Sequence, residues 1–151
     1  MRILSKAAVL MAVVLLAGAC CPCRSYQKKT RRPLTGTQWQ LVQLNGRSVQ
    51  PEAGHFTITL GADDSQINGM GACNRIFGNY TEGEKRALKI GPLASTKMIC
   101  PGADLERQFT AALEATTHYD MDGPMLLLLS NGELKAIFQA LPASSAETRR
   151  K

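Results

Sequence analysis

From residue 37 to residue 141 the chain is built of short apolar–polar alternations broken by glycine-bearing turns. "TQWQLVQL", 37 to 44, sets Trp39 and Leu41 on one face of a strand and Val42 and Leu44 on the other. "HFTITL", 55 to 60, places Phe56, Ile58 and Leu60 on one face at period two. Asn45-Gly46 and "GADDS", 61 to 65, are turn signals. Ile67, Gly69 and Gly71 lie on a glycine-rich strand, where a missing side chain marks a bulge or a close approach of backbone. Phe77 to Thr81 and Ala87 to Ile90 are short strands around "EGEK", and "THYDMD", 117 to 122, is another. "MLLLLS", 125 to 130, is continuously apolar and is expected to be buried on both faces. Asn131-Gly132 turns it into a hairpin with "ELKAIFQAL", 133 to 141.

One segment has helical rather than strand periodicity. Leu105, Phe109, Ala112, Leu113 and Thr116 fall on one helical face, with Asp104 placed to cap the start. Many short strands and one helix predict an α+β domain, mainly an antiparallel sheet. Curling the sheet around the helix would bury the helix's apolar stripe, but the pattern alone fits a flat sheet with the helix on one face equally well.

The N-terminus follows a different pattern. Arg2 and Lys6 precede an apolar run from Ala7 to Ala19, too short to span a bilayer comfortably but of signal-peptide length. Ala17-Gly18-Ala19-Cys20 resembles the end of a bacterial lipoprotein signal, with Ala17 where leucine is usual. That resemblance implies cleavage after residue 19, acylation of Cys20, and a lipid anchor as the link to the membrane. It also implies a bacterial cell-envelope location. Cys21 is not the aspartate associated with inner-membrane retention, which favours the outer membrane, facing the periplasm. Residues 20–33 are basic and lack apolar periodicity, as in a lipid-anchored tether; 34–141 form the domain and 142–151 a polar tail.

The charge balance changes with this division. The whole chain has 18 Lys and Arg against 12 Asp and Glu, net +6; without residues 1–19 it has 16 against 12, net +4. Much of the excess lies in the two flanks, at Arg24, Lys28, Lys29, Arg31 and Arg32, and at Arg149, Arg150 and Lys151. The domain offers no basic face of its own, so nucleic acid is not an expected partner. Basic residues beside an anchor suit anionic headgroups, or simply a solvated linker.

Five cysteines then bear on chemistry: Cys20, Cys21, Cys23, Cys73 and Cys100. In an oxidising compartment, with Cys20 acylated, Cys73 and Cys100 are the two within the domain and are expected to form a disulfide; two separate buried thiols are the alternative. Cys20 and Cys23 have redox spacing but lack a βαβ context. Zinc would need a further ligand pair, and His55 and His118 are 63 positions apart. A Cys73 nucleophile would need one of those histidines as its base, and nothing local supplies it. Gly69-Met70-Gly71 lacks the lysine spacing of a phosphate loop. Asp63, Asp64, Asp120 and Asp122 sit in or beside turns, where turn chemistry accounts for them. No catalytic residue, metal site or cofactor is expected.

Three stretches together resemble the META domain family: "LTGTQWQLVQLNGRSV" (34 to 49), "NGMGACNRIFGNY" (68 to 80) and the segment 88 to 129 that begins "LKIGPLASTKMIC". Cys73-Asn74-Arg75 matches the second signature in full, with Ile76 where an aromatic is common. The resemblance implies an antiparallel sheet curled into an incompletely closed barrel with one packed helix. It also implies an envelope setting, with associations to stress response, antibiotic tolerance or secretion, and no established enzymatic activity. Cys73 and Cys100 are matched positions. So are Asn74 and Arg75, both candidate interaction residues: Asn74 can instead close a turn through its own backbone, and Arg75 can pair with a carboxylate across the sheet or meet a partner. The expected function is that of a non-enzymatic envelope lipoprotein working through contact with an envelope protein. The alternative is a module holding an apolar, acyl-type ligand in an open barrel, suggested by Leu126 to Leu129 beside the small Ala112.

Overall fold

The computed structural model describes residues 21–142; Cys20, the expected acylation site, and the tail after Pro142 lie outside them. In chain order the elements are α1 (Cys21–Thr30), β1 (Gln38–Leu44), β2 (Arg47–Ser48), β3 (Thr57–Leu60), β4 (Gln66–Met70), β5 (Arg75–Glu82), β6 (Leu88–Ile90), β7 (Ala94–Ser95), α2 (Ala103–Glu114), β8 (His118–Asp122), β9 (Met125–Ser130) and β10 (Glu133–Ala140).

All the strand pairs are antiparallel, and the sheet runs β6-β5-β4-β3-β1-β10-β9-β8, with β2 added to β1 and β7 to β5. The two ends of this path, β6 and β8, meet only at a bridge between Ala87 and His118, beside which the Leu88 N–H donates to the Thr117 carbonyl at 3.0 Å. The result is a nearly closed barrel with one unsealed seam. Side chains cross that seam where the ladder does not: Arg86 pairs with Asp120, and the Tyr119 hydroxyl donates to Glu82 at 2.6 Å. Burial and this bond to Glu82 push the Tyr119 pKa up to about 12.

Helix α2 packs its apolar stripe against the barrel core. Phe109 is fully buried, its ring 5.5 Å from Phe56 in an edge-on arrangement and 6.1 Å from Phe138. Ala112 and Leu113 are buried on the same stripe. The space beside Ala112 that suggested an acyl ligand is thus next to a packed aromatic cluster. The helix begins at Ala103 with left-handed Gly102 as its N-cap; Asp104 does not cap it but lies in the first turn, paired with Arg107.

Register explains where the strands depart from simple alternation. A bulge between Leu41 and Gln43 inserts a residue in β1, so Leu44 joins Trp39 and Leu41 in the core instead of facing outward with Val42. In β9 only Leu126 and Leu128 are fully buried, while Leu127 and Leu129 are half-buried: this strand has a core on one side only. Asn45-Gly46 and Asn131-Gly132 both have positive φ at each residue, the conformation that joins tightly paired antiparallel strands.

Residues 21–30 are helical, although the sequence there has no apolar stripe. Pro22 is tolerated in the first turn, and Lys28 and Lys29 complement the carbonyl end of the last. Gln27 donates to Asp122 at 2.9 Å, which ties α1 to the end of β8. Among the described residues no helix is long and apolar enough to cross a membrane.

Candidate functional site

Between β4 and β5 the chain reverses through Gly71-Ala72-Cys73-Asn74, closed by the Gly71 N–H donating to the Asn74 carbonyl at 2.7 Å. The turn leaves three successive backbone N–H groups pointing to one side, an anion-holding concavity. Glu106 of α2 occupies it. Its Oε2 accepts from the N–H groups of Ala72 at 2.7 Å and of Cys73 and Asn74 at 3.3 Å, and its Oε1 accepts from Asn74 Nδ2 at 2.7 Å. Glu106 is only 8% exposed. A buried carboxylate is costly unless its oxygens are satisfied, and here four N–H donors do so. Gly71 makes the approach possible, since a Cβ there would lie 2.6 Å from Glu106 Cγ and Cδ.

Asn74 faces the other way as well. Its Oδ1 accepts from the Met98 N–H at 2.7 Å and the Thr96 hydroxyl at 2.9 Å, and its Nδ2 also donates to the Met98 carbonyl at 3.3 Å. With the bond to Glu106, both donors and both acceptor positions of the amide are used. Asn74, expected as an interaction residue, is 6% exposed and joins the signature turn to the segment before α2. The Cys73–Cys100 disulfide ties the same two segments, with the Cα atoms 6.4 Å apart. Between these fastenings, Met98 and Ile99 project into solvent, Ile99 completely.

The remaining candidates are scattered. His55 reaches this turn, but its Nδ1 lies 2.6 Å from the Ala72 carbonyl, and the Cys73 sulfur is bonded to Cys100. His118 sits at the seam with Nδ1 3.1 Å from the Thr117 hydroxyl. Asp64 accepts from the Gln66 N–H in the β3–β4 turn, and Asp120 and Asp122 hold Arg86 and Gln27. Among the described residues no group of three or more His, Cys, Asp or Glu is placed to hold a metal ion. The side chains of Cys21 and Cys23 are outside the described set.

Arg75 is the exposed member of Cys73-Asn74-Arg75. Its N–H donates to the Thr96 hydroxyl at 3.1 Å, and its side chain lines an outward groove with Gln38, Thr59, Asn68, Met70 and Phe77. Glu106 escapes a search for catalytic patterns. The signal for it is an acidic residue three positions before Phe109, on the helix's apolar face.

The META domain matches residues 32–142. The chain belongs to the META domain family. The three quoted stretches lie within this match: the first strand of the barrel, the turn that holds Glu106, and the run from β6 through the disulfide-tied loop and α2 into β9. Solved structures resemble this META domain in fold. An NMR structure of a protein from Burkholderia xenovorans has 24% identity and a TM-score of 0.57, over 79% of this chain and 88% of that one. A second NMR structure has 22% identity and a TM-score of 0.56, over 70% and 90%. The crystal structure of a DUF4847 family protein from Bacteroides vulgatus has 22% identity and a TM-score of 0.54, over 71% and 93%. No curated protein matches the chain.

Proposed function

We propose that this META domain is a lipid-anchored, non-enzymatic domain of the bacterial envelope that acts by protein contact, in stress tolerance or envelope assembly. The observation that carries the reading is the mounting of Met98 and Ile99. The buried Asn74 amide holds both main-chain polar groups of Met98, and the disulfide holds the neighbour of Ile99. Both side chains nevertheless stand in solvent, where they stabilise nothing in the free domain. A rigid mount for exposed apolar side chains suits recognition, because the ordering cost is met before a partner arrives. Cys20 supplies the anchor in this reading, and the exposed Lys28 and Lys29 of α1 lie between it and the domain.

The test is photo-crosslinking in cells from position 99, with position 108 on the exposed side of α2 as the control site. A discrete adduct from 99, absent from 108 and lost with Met98→Ser, supports the reading; no adduct from 99 overturns protein contact at this loop. Fractionation of Cys20→Ala tests the anchor separately, since unchanged membrane association removes it.

A further inference from the structure

The outward face of β1, β3, β4 and β5 carries a groove of about 560 Å³. Strand register arranges its walls in two rows. Gln38 pairs with Thr59, Thr59 with Asn68 and Asn68 with Phe77, in one row across four strands. Thr57, Met70 and Arg75 make the next. Adjacent strands are about 4.8 Å apart, so the first row is about 14 Å long. Alternate residues Ile58, Ile67 and Ile76 point into the core, which fixes the outward direction of both rows.

The polar side chains on this face are largely unengaged. Among the described residues, none forms a hydrogen bond or ion pair with the side chains of Gln38, Thr59, Asn68 or Arg75. The buried Thr57 hydroxyl has only the Gly54 carbonyl, at 3.5 Å. Among the described residues no acidic one lines the groove, and Arg75 is the one cation that does. Phe77, half-exposed, closes the end of the first row. Arg75 is held in position by its own N–H bond to the Thr96 hydroxyl, which in turn donates to Asn74.

We propose that this groove binds a saccharide bearing a carboxylate. The guanidinium offers a planar fork that matches a carboxylate in two parallel bonds. Amides and hydroxyls at strand spacing both donate and accept, as a row of sugar hydroxyls requires. The face of the Phe77 ring is electron-rich and suits the C–H groups of a pyranose. A peptide strand is a poorer occupant. Here β3 and β4 are paired on both edges, so an added chain finds no ladder of free backbone groups. A polyphosphate backbone would call for more than one cation. Saccharide binding here requires neither the anchor nor recognition by Met98 and Ile99, although Thr96 and Asn74 join the groove to that loop.

The full chain is titrated with trigalacturonate, with neutral galactotriose and with inorganic phosphate, following amide shifts of the groove residues. The expected result is saturable binding of the acidic sugar, at least about tenfold weaker with the neutral one and with Arg75→Gln, because the charge-assisted fork is lost. Arg75→Lys should recover part of it, and Phe77→Ala should weaken both sugars. All three substitutions are on outward side chains, and unchanged melting confirms that each variant folds. Equal affinity for the two sugars, wild-type binding by Arg75→Gln, or no saturation at millimolar sugar overturns the proposal. Displacement by phosphate at matching concentration also overturns it, in favour of a bare anion site.

Discussion

Glu106 grips Asn74 by both of its nitrogens, Oε1 accepting from the side-chain amide at 2.7 Å and Oε2 from the backbone N–H at 3.3 Å. This one carboxylate connects the helix packed against the barrel core to the turn that carries the family signature. Removing it leaves the N–H groups of Ala72, Cys73 and Asn74 without their buried acceptor. Glu106→Ala is therefore expected to destabilise the oxidised protein by about 1–3 kcal/mol, the range for leaving buried donors without an acceptor. Glu106→Gln keeps one acceptor oxygen but turns an NH₂ toward other donors, and should also be destabilising. Urea unfolding of the three proteins measures this; a cost below about 1 kcal/mol for the alanine variant would show that water replaces the carboxylate freely.

Gly71 acts through the same carboxylate. A methyl group there overlaps the Glu106 side chain, so Gly71→Ala must displace the helix or the turn. Because the clash needs Glu106, the two substitutions should not add: Gly71→Ala combined with Glu106→Ala should cost less than the sum of the single variants. Strict additivity in a double-mutant cycle would place the strain elsewhere. Gly69 provides the contrast, since its Cβ would overlap the Thr57 carbonyl of β3, which is backbone and cannot rotate away. Gly69→Ala should be destabilising with or without Glu106.

The disulfide closes a sequence separation of 27 residues. In the chain-entropy account, opening such a loop costs about 3.5 kcal/mol. Cys73→Ser with Cys100→Ser should lower the unfolding midpoint accordingly. The Asn74 bonds to Met98 remain available, so the loop should keep its conformation at low denaturant concentration. Amide exchange at Met98 is the readout, because its N–H donates to Asn74 Oδ1. Protection lost in the double serine variant under native conditions would mean that the disulfide alone holds this loop.

Much of this arrangement was legible in the residue pattern. Phe56, Ile58 and Leu60 are buried as their alternation requires, and the two Asn-Gly pairs turn where they were expected to. The side that Leu44 faces is not legible in its own strand, because a bulge is a property of a strand pair, and the residues opposite it, Phe138 and Ile137, are nearly a hundred positions away. The continuous apolar run of β9 suggested two buried faces, but this strand lies in a barrel with a single interior. Glu106 stayed hidden for a related reason. Three of its four donors are backbone N–H groups 32 to 34 residues earlier, which carry no side-chain signature, and the fourth, the Asn74 amide, is joined to it only by the fold; in the sequence only its position on the apolar stripe sets it apart. The groove likewise exists only once register aligns Gln38, Thr59, Asn68 and Phe77 from four strands.

The seam should make stability depend on alkaline pH. Burial is the main reason that the Tyr119 pKa is pushed up to about 12 from its ordinary 10, followed by its hydrogen bond to Glu82 and that residue's charge; Arg86 and Arg31 act in the opposite direction. Tyr80, raised by burial and by the charges of Glu82 and Asp64, shifts the same way. A group whose pKa is higher in the folded state holds its proton where the unfolded chain has lost it. Its contribution is complete below the unfolded pKa, near 10, and declines as pH rises toward the folded value, near 12. Stability is therefore expected to fall across that interval. Tyr119→Phe should reduce the slope there while lowering stability somewhat at neutral pH, since the bond to Glu82 is lost as well. Urea unfolding at a series of alkaline pH values, with phenolate absorbance followed in parallel, separates the two effects. If the slope in the phenylalanine variant equals that of the wild type, Tyr119 does not carry the alkaline dependence.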